Sequence, residues 1–107
     1  MKEPFQSRYF VDETNAPEGG NAWGTGFSIS WQRGPLGQGE KRLAPNGAFV
    51  ETIIDVVRER LENYQHSRFA CVENEEAIKH LEAALLVLNS RTLRRSVEGT
   101  EGTLSGK

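Results

Sequence analysis

The chain has 107 residues and a mass of 12.0 kDa, enough for one small domain, which excludes the large enzyme architectures. Hydrophobic residues make up 36% of it and charged residues 26%, so the supply of core-forming side chains is modest and we expect self-association. A formal net charge of -2 argues against a general binder of DNA or of anionic membranes. The single cysteine, Cys71, excludes an internal disulfide and a cysteine-based zinc site.

Residues 1–45 have the composition of strands and turns. They hold most of the glycines, all four prolines and both tryptophans. Segment 8–12, RYFVD, is β-prone, and a second strand is indicated where apolar residues alternate with polar ones: Phe27, Ile29 and Trp31. The glycine-rich loop 13–21 predicts a turn that pairs these two strands as a short N-terminal β-ribbon.

Residues 46–107 are predicted to form a long antiparallel two-helix hairpin followed by a tail. Asn46 is a candidate N-cap for the first helix, and Asn74 is one for the second. The apolar stripe of the first helix comprises Val50, Ile53, Ile54, Val57, Leu61 and Tyr64. That of the second comprises Ala77, Ile78, Leu81, Ala84, Leu85 and Leu88. The sequence thus predicts one compact α+β domain that assembles as a homo-oligomer.

Arginine replaces leucine where the second stripe ends, at Arg91 and Arg95. Two guanidinium groups at this spacing suit a phosphate or pyrophosphate. The alternative is that both complement the helix dipole and pack their aliphatic stems on the hairpin. The residues alone leave both interpretations open.

The interhelical turn carries an aromatic ring and an amide, Tyr64 and Asn74. Such a pair suits base stacking and hydrogen bonding, although a core end and an N-cap explain it as well. Asn74 and Arg91 are 17 residues apart, about 25 Å along one helix, so one small ligand cannot contact both in a single chain. Nucleotide binding therefore predicts a dimer with two composite pockets.

No catalytic or metal-binding constellation is evident. The two histidines, His66 and His80, are expected to be exposed, and the glycine spacings do not match a phosphate-binding fingerprint. No run of about 18 apolar residues occurs, and the N-terminus lacks the apolar region of a signal peptide. We therefore predict a protein that is not an enzyme, has no cofactor and stays in the compartment where it is made.

Three stretches, RLENYQ, SRFACVENEEAI and LNSRTLRRSVEGT, resemble the phage anti-Thoeris sponge proteins, and more distantly the hairpin of the phage anti-CBASS sponges. The resemblance covers roughly residues 30–102. It implies a small α+β protein that sequesters cyclic ADP-ribose isomers in the bacterial host cytoplasm without cleaving them, so that Thoeris defence is not activated. Some members are similar to the anti-CBASS sponges in also holding cyclic oligonucleotides, in a hexamer built as a trimer of dimers.

By position, the resemblance implies that Tyr64 stacks the adenine, Asn74 contacts a polar ligand edge, and Arg91 and Arg95 grip the pyrophosphate. The tail is expected to fold over the ligand, with Thr100 as a hydrogen-bonding group. Two alternatives are a sponge for cyclic di- or trinucleotides and a helical-hairpin protein that binds a protein partner.

Overall fold

The computed structural model describes residues 4–34, 36–37 and 39–98, with all of their side chains except those of residues 92, 93 and 95–98. Three strands precede two helices, which confirms the predicted α+β fold class. The chain divides into two compact units. One contains the sheet and the loop that follows it through Phe49, and the other spans Val50–Val97.

The sheet has three antiparallel strands in the order in which they occur along the chain: β1 (Phe5–Val11), β2 (Pro17–Gly24) and β3 (Phe27–Trp31). The predicted direct pairing of the first and last of these segments is wrong, because β2 lies between them. Its glycines indicate a turn by composition, but they allow close approach within the sheet. A Cβ at Gly20 would collide with the carbonyl oxygen of Arg8 on β1.

Asp12 organises the loop between β1 and β2. Its Oδ1 accepts hydrogen bonds from the Thr14 hydroxyl at 2.6 Å, the Thr14 amide at 2.8 Å and the Ala16 amide at 3.0 Å. These bonds hold the pKa of Asp12 below its ordinary value, and the bond from the Thr14 hydroxyl has the largest effect. Asn15 adopts the left-handed conformation, with a φ of 67°, which asparagine tolerates better than most residues. A single carboxylate therefore fixes this turn.

The segment after β3 returns to that strand. Ala48 forms a parallel bridge with Trp31, and a Cβ at Gly47 would lie 2.5 Å from the Trp31 carbonyl oxygen. Asn46 does not cap the first helix, contrary to the prediction. Its Oδ1 instead accepts a hydrogen bond from the Arg33 amide at 2.8 Å, because the chain is still packed along β3 at this point.

The two helices are α1 (Val50–Gln65) and α2 (Val72–Glu98). Glu51, near the start of α1, pairs with Arg91, far along α2, whereas Arg58 in the middle of α1 approaches Glu82 at 4.0 Å. Residue numbers thus rise along one helix as they fall along the other, as in an antiparallel hairpin. Arg58 also bonds Asp55 within α1, and this bond raises the pKa of its guanidinium.

The apolar stripes of the hairpin are only partly covered. No residue of α1 is buried, and the stripe residues Leu61, Leu81 and Leu85 are half-buried. Val57, predicted in the α1 stripe, is 46% exposed, and Leu86 on α2 is 70% exposed. Within the described residues, the buried hydrophobic side chains are Ala22 and Leu36, both outside the hairpin. A single copy therefore leaves much apolar helix surface in contact with water.

The described part of the chain contains no helix with the length and apolar character needed to cross a membrane.

Candidate functional site

Tyr64 lies in the last turn of α1, as predicted from the stripe, and its ring is half-buried. The Arg60 guanidinium lies over this ring, with its carbon 4.6 Å from the ring centroid. The ring of Phe69 packs against Tyr64 at nearly a right angle, with 6.2 Å between the centroids. The turn end of the hairpin therefore presents a cation and two aromatic rings together.

Sequence reasoning missed both neighbours of Tyr64. Arg60 precedes Tyr64 by four residues, the spacing at which side chains meet on a helix, so its position was predictable. Phe69 lies in the interhelical segment, where no periodicity indicates its direction. It is 58% exposed, and the Arg68 guanidinium lies 4.9 Å from its centroid. A guanidinium at such a distance is attracted to the face of an aromatic ring. Proteins that stack nucleic-acid bases use the same combination of aromatic rings and arginines.

Asn74 is not the N-cap of the second helix, contrary to one of the predictions. The helix begins at Val72, and the Asn74 amide contacts the Cys71 sulfur at 3.4 Å, so Cys71 takes the capping position. The side-chain Nδ2 of Asn74 donates to the Phe69 carbonyl at 3.2 Å. Its Oδ1 accepts no hydrogen bond from any residue that the structure describes, so the amide retains an unused acceptor close to the Phe69 backbone.

Gln65 closes the turn between the helices. Its Oε1 accepts a hydrogen bond from the Cys71 amide at 2.9 Å, and its Nε2 donates to the Cys71 carbonyl at 3.1 Å. The Ser67 hydroxyl donates to the Tyr64 carbonyl at 2.6 Å and accepts from the Phe69 amide at 3.1 Å. These bonds fix the position of Phe69 relative to Tyr64.

At the other end of the hairpin, Arg91 is half-buried and its Nη2 lies 3.6 Å from Glu51 Oε1. Its Nε is buried and has no hydrogen-bond partner among the described residues. Arg95 lies one turn further along α2, but its side chain is outside the described part. Thr100 and the predicted ligand-covering tail, from residue 99 on, also lie outside it.

The structure brings Tyr64 and Asn74 to the same end of the hairpin but keeps Arg91 apart from them. Asn74 and Arg91 belong to one continuous helix, so their separation along its axis is about 25 Å. A small ligand cannot contact both ends of one hairpin.

Other surfaces offer less for an anionic ligand. A depression beside the loop between β1 and β2 is lined by three carboxylates, Asp12, Glu13 and Glu18, which would repel one. Within the described ranges, no group of three or more histidine, cysteine or acidic side chains could hold a metal ion. His80 pairs with Glu76 in the same helix, and Cys71 is an exposed free thiol.

The chain is similar to a known protein family and to a protein of a Bacillus phage. The model of the "Acb2/Tad1, hairpin domain" family matches residues 28–93. A protein of Bacillus phage SBSphiJ7, named Thoeris anti-defense 1, is 41% identical over 76 residues, which cover 71% of this chain and 51% of the relative. The chain therefore spans about half the length of the relative that it matches.

Proposed function

Because the chain belongs to the Acb2/Tad1 hairpin domain family, we propose that it binds and sequesters cyclic ADP-ribose-type signalling nucleotides without degrading them. Sequestration keeps the messenger from its effector and so blocks Thoeris defence in the bacterial host cytoplasm. The proposal rests on one observation: within the matched region, a single hairpin carries aromatic and amide groups at one end and an arginine at the other. One end offers Tyr64, Phe69 and Asn74, and the other offers Arg91.

At the turn end, the adenine stacks on Tyr64, on the face opposite the Arg60 guanidinium. The unused Oδ1 of Asn74 accepts a hydrogen bond from a polar edge of the ligand, for which an exocyclic amine is the simplest donor. Phe69 adds a second aromatic surface, and the bonds of Gln65 to Cys71 hold it in place. Together these groups supply stacking and one directional contact.

At the arginine end, Arg91 and Arg95 grip the pyrophosphate. Guanidinium forks donate paired hydrogen bonds to phosphate oxygens, and charge-assisted bonds of this kind contribute about 1.5–3 kcal/mol each. In this proposal Thr100 and the tail close over the bound ligand. Among the residues that the structure describes, neither end offers an evident nucleophile with an adjacent base, which supports storage of the messenger rather than its hydrolysis.

The separation of the two ends supports a composite pocket. We propose that two copies pair antiparallel about a two-fold axis, so that the turn end of one protomer meets the arginine end of its partner. Apolar side chains left exposed on the hairpin supply the surface for such a dimer. Leu86 and Val87 on α2, which lie outside the predicted stripe, are about two-thirds exposed. Further assembly of three dimers into a hexamer is the form that the family resemblance favours.

A second candidate ligand is a cyclic di- or trinucleotide, which the more distant resemblance of the hairpin to the anti-CBASS sponges implies. Its phosphates are separated by nucleosides, so they present less concentrated charge to Arg91 than a pyrophosphate does. A third possibility, from another class, is a hairpin that binds a protein partner through its exposed valines and leucines.

Calorimetric titration with a panel of cyclic ADP-ribose isomers and cyclic di- and trinucleotides tests the proposal. We expect a cyclic ADP-ribose isomer to bind most tightly and to be recovered intact by mass spectrometry after heat denaturation of the complex. Preferred binding of a cyclic oligonucleotide would favour the second candidate, and recovery of a hydrolysed product would make the protein an enzyme. No binding of any nucleotide, together with a co-purifying protein, would favour the third.

A further inference from the structure

Arg91 has an anionic neighbour on the facing helix. Its Nη2 lies 3.6 Å from Glu51 Oε1, and the two side chains are 39% and 26% exposed. This distance falls within the range of an ion pair but beyond the 2.7–2.9 Å typical of a charge-assisted hydrogen bond. The guanidinium is therefore balanced by a nearby charge without being saturated by hydrogen bonds.

Glu51 is held at this place by the fold of the hairpin. It lies in the first turn of α1, where the helix dipole favours a carboxylate, and the antiparallel arrangement places Arg91 opposite it. The buried Nε of Arg91, which has no partner in the described part of the chain, shows that Glu51 leaves donors unused. This Nε is itself buried, but the Arg91 side chain is 39% exposed and its Nη2 lies 3.6 Å from Glu51, so its terminal amino groups can donate to a ligand the hydrogen bonds that Glu51 does not accept.

We infer that the Glu51 carboxylate limits the affinity of the site by competing with an anionic ligand for Arg91; this inference rests on the proposed function. A phosphate oxygen bonded to Nη2 at about 2.8 Å would lie no more than about 6.5 Å from Glu51 Oε1. At that separation two negative charges repel each other. A ligand must therefore attract Arg91 more strongly than the Glu51 carboxylate does, or displace that carboxylate. A pyrophosphate concentrates the negative charge that this requires.

The test replaces Glu51 with glutamine, which keeps the shape and removes the charge. We expect Glu51→Gln to bind the preferred cyclic ADP-ribose isomer roughly two- to fivefold more tightly in calorimetry, the range that corresponds to a partly exposed ion pair. Thermal melting checks that the variant is folded, and Glu51→Ala should shift the affinity in the same direction.

Two variants serve as controls. Glu59→Gln removes one charge from an exposed position eight residues further along α1, about 12 Å away, and should leave the affinity unchanged. In an Arg91→Met background, Glu51→Gln should have no effect on binding. Unchanged or weaker binding by Glu51→Gln would overturn the inference and indicate that Glu51 merely orients the arginine. An equal gain in affinity in the Arg91→Met background would also overturn it and indicate that Glu51 acts at long range.

A second probe separates this inference from the proposed function. Inorganic pyrophosphate is titrated into ¹⁵N-labelled protein, and the arginine side-chain signals are followed by NMR. If Glu51 competes for Arg91, the Arg91 signal should respond at lower pyrophosphate concentration in Glu51→Gln than in the wild-type protein. If the Arg91 signal responds to pyrophosphate in this way but no nucleotide binds, only the proposed ligand is refuted. If the nucleotide binds but Glu51→Gln does not raise its affinity, only the role of Glu51 is refuted.

Discussion

Tyr64 shows how much a single side chain can reveal before a structure is known. Its place at the end of an apolar stripe predicted an aromatic group beside the interhelical turn, and the structure places it there. Arg60 was predictable from helical spacing, but Phe69 was not, because its direction depends on the bonds that Gln65 and Ser67 make in the turn. Glu51 was also beyond sequence reasoning, since its contact with Arg91 depends on the register between two helices.

Stacking on Tyr64 gives a prediction at this scale. Tyr64→Ala should weaken binding of the preferred nucleotide about 5- to 150-fold in calorimetry, because stacking of one base contributes about 1–3 kcal/mol. Tyr64→Phe should bind nearly as well as the wild-type protein, since the ring is kept. Tyr9→Ala, at a tyrosine that is 69% exposed on β1, provides the matched control. Equal affinity in Tyr64→Ala would remove the stacking role.

At the level of elements, helices were easier to predict than strands. The 3.6-residue periodicity identified both helices, because it reports burial on one face over many turns. The strand β2 was missed because its glycines are also the residues of turns, and only the packing against Arg8 and Tyr9 shows why they are needed. Both asparagine caps were misplaced, since asparagine bonds any nearby backbone group, as Asn46 does with Arg33.

The loop between β1 and β2 gives a prediction of pH dependence. The pKa of Asp12 is lower in the folded chain than its ordinary value of 3.8, chiefly because of the Thr14 hydroxyl. Its contribution to stability is therefore complete above that ordinary value and is lost as the pH falls through the lowered pKa. Asp12→Asn should flatten the acid-side decline in stability, measured by denaturant unfolding with tryptophan fluorescence between about pH 2 and 6.

Two further results bear on this loop. Thr14→Val removes the hydroxyl that lowers the pKa most, so it should reproduce part of the effect of Asp12→Asn. An acid-side decline that is as steep in Asp12→Asn as in the wild-type protein would show that other carboxylates control it.

On the scale of the whole molecule, the modest supply of core residues agrees with a hairpin whose apolar surface is only partly covered in one copy. The family resemblance is confirmed by the match over residues 28–93, and the hairpin keeps its aromatic and arginine ends about 25 Å apart. The helices of one copy leave apolar residues such as Val56 and Leu86 in water. Composition predicted that partners would be needed, but it gave no information about which ends of the hairpin would meet.

We propose that a nucleotide binds where opposite ends of two hairpins meet. Tyr64→Ala and Arg91→Met should each bind only weakly when alone, because every composite pocket then lacks one of the two groups. Mixing the two variants and allowing the dimers to exchange should restore binding to about a quarter of the sites. Each mixed dimer then has one pocket with both groups intact.

Calorimetric titration of this mixture is the most direct measurement, with native mass spectrometry to confirm that mixed dimers have formed. We expect wild-type affinity at about one quarter of the wild-type stoichiometry. Mixed dimers whose affinity is no higher than that of the separate variants would contradict the composite site. That result would show that both groups act within one chain, or that one of them does not contact the ligand.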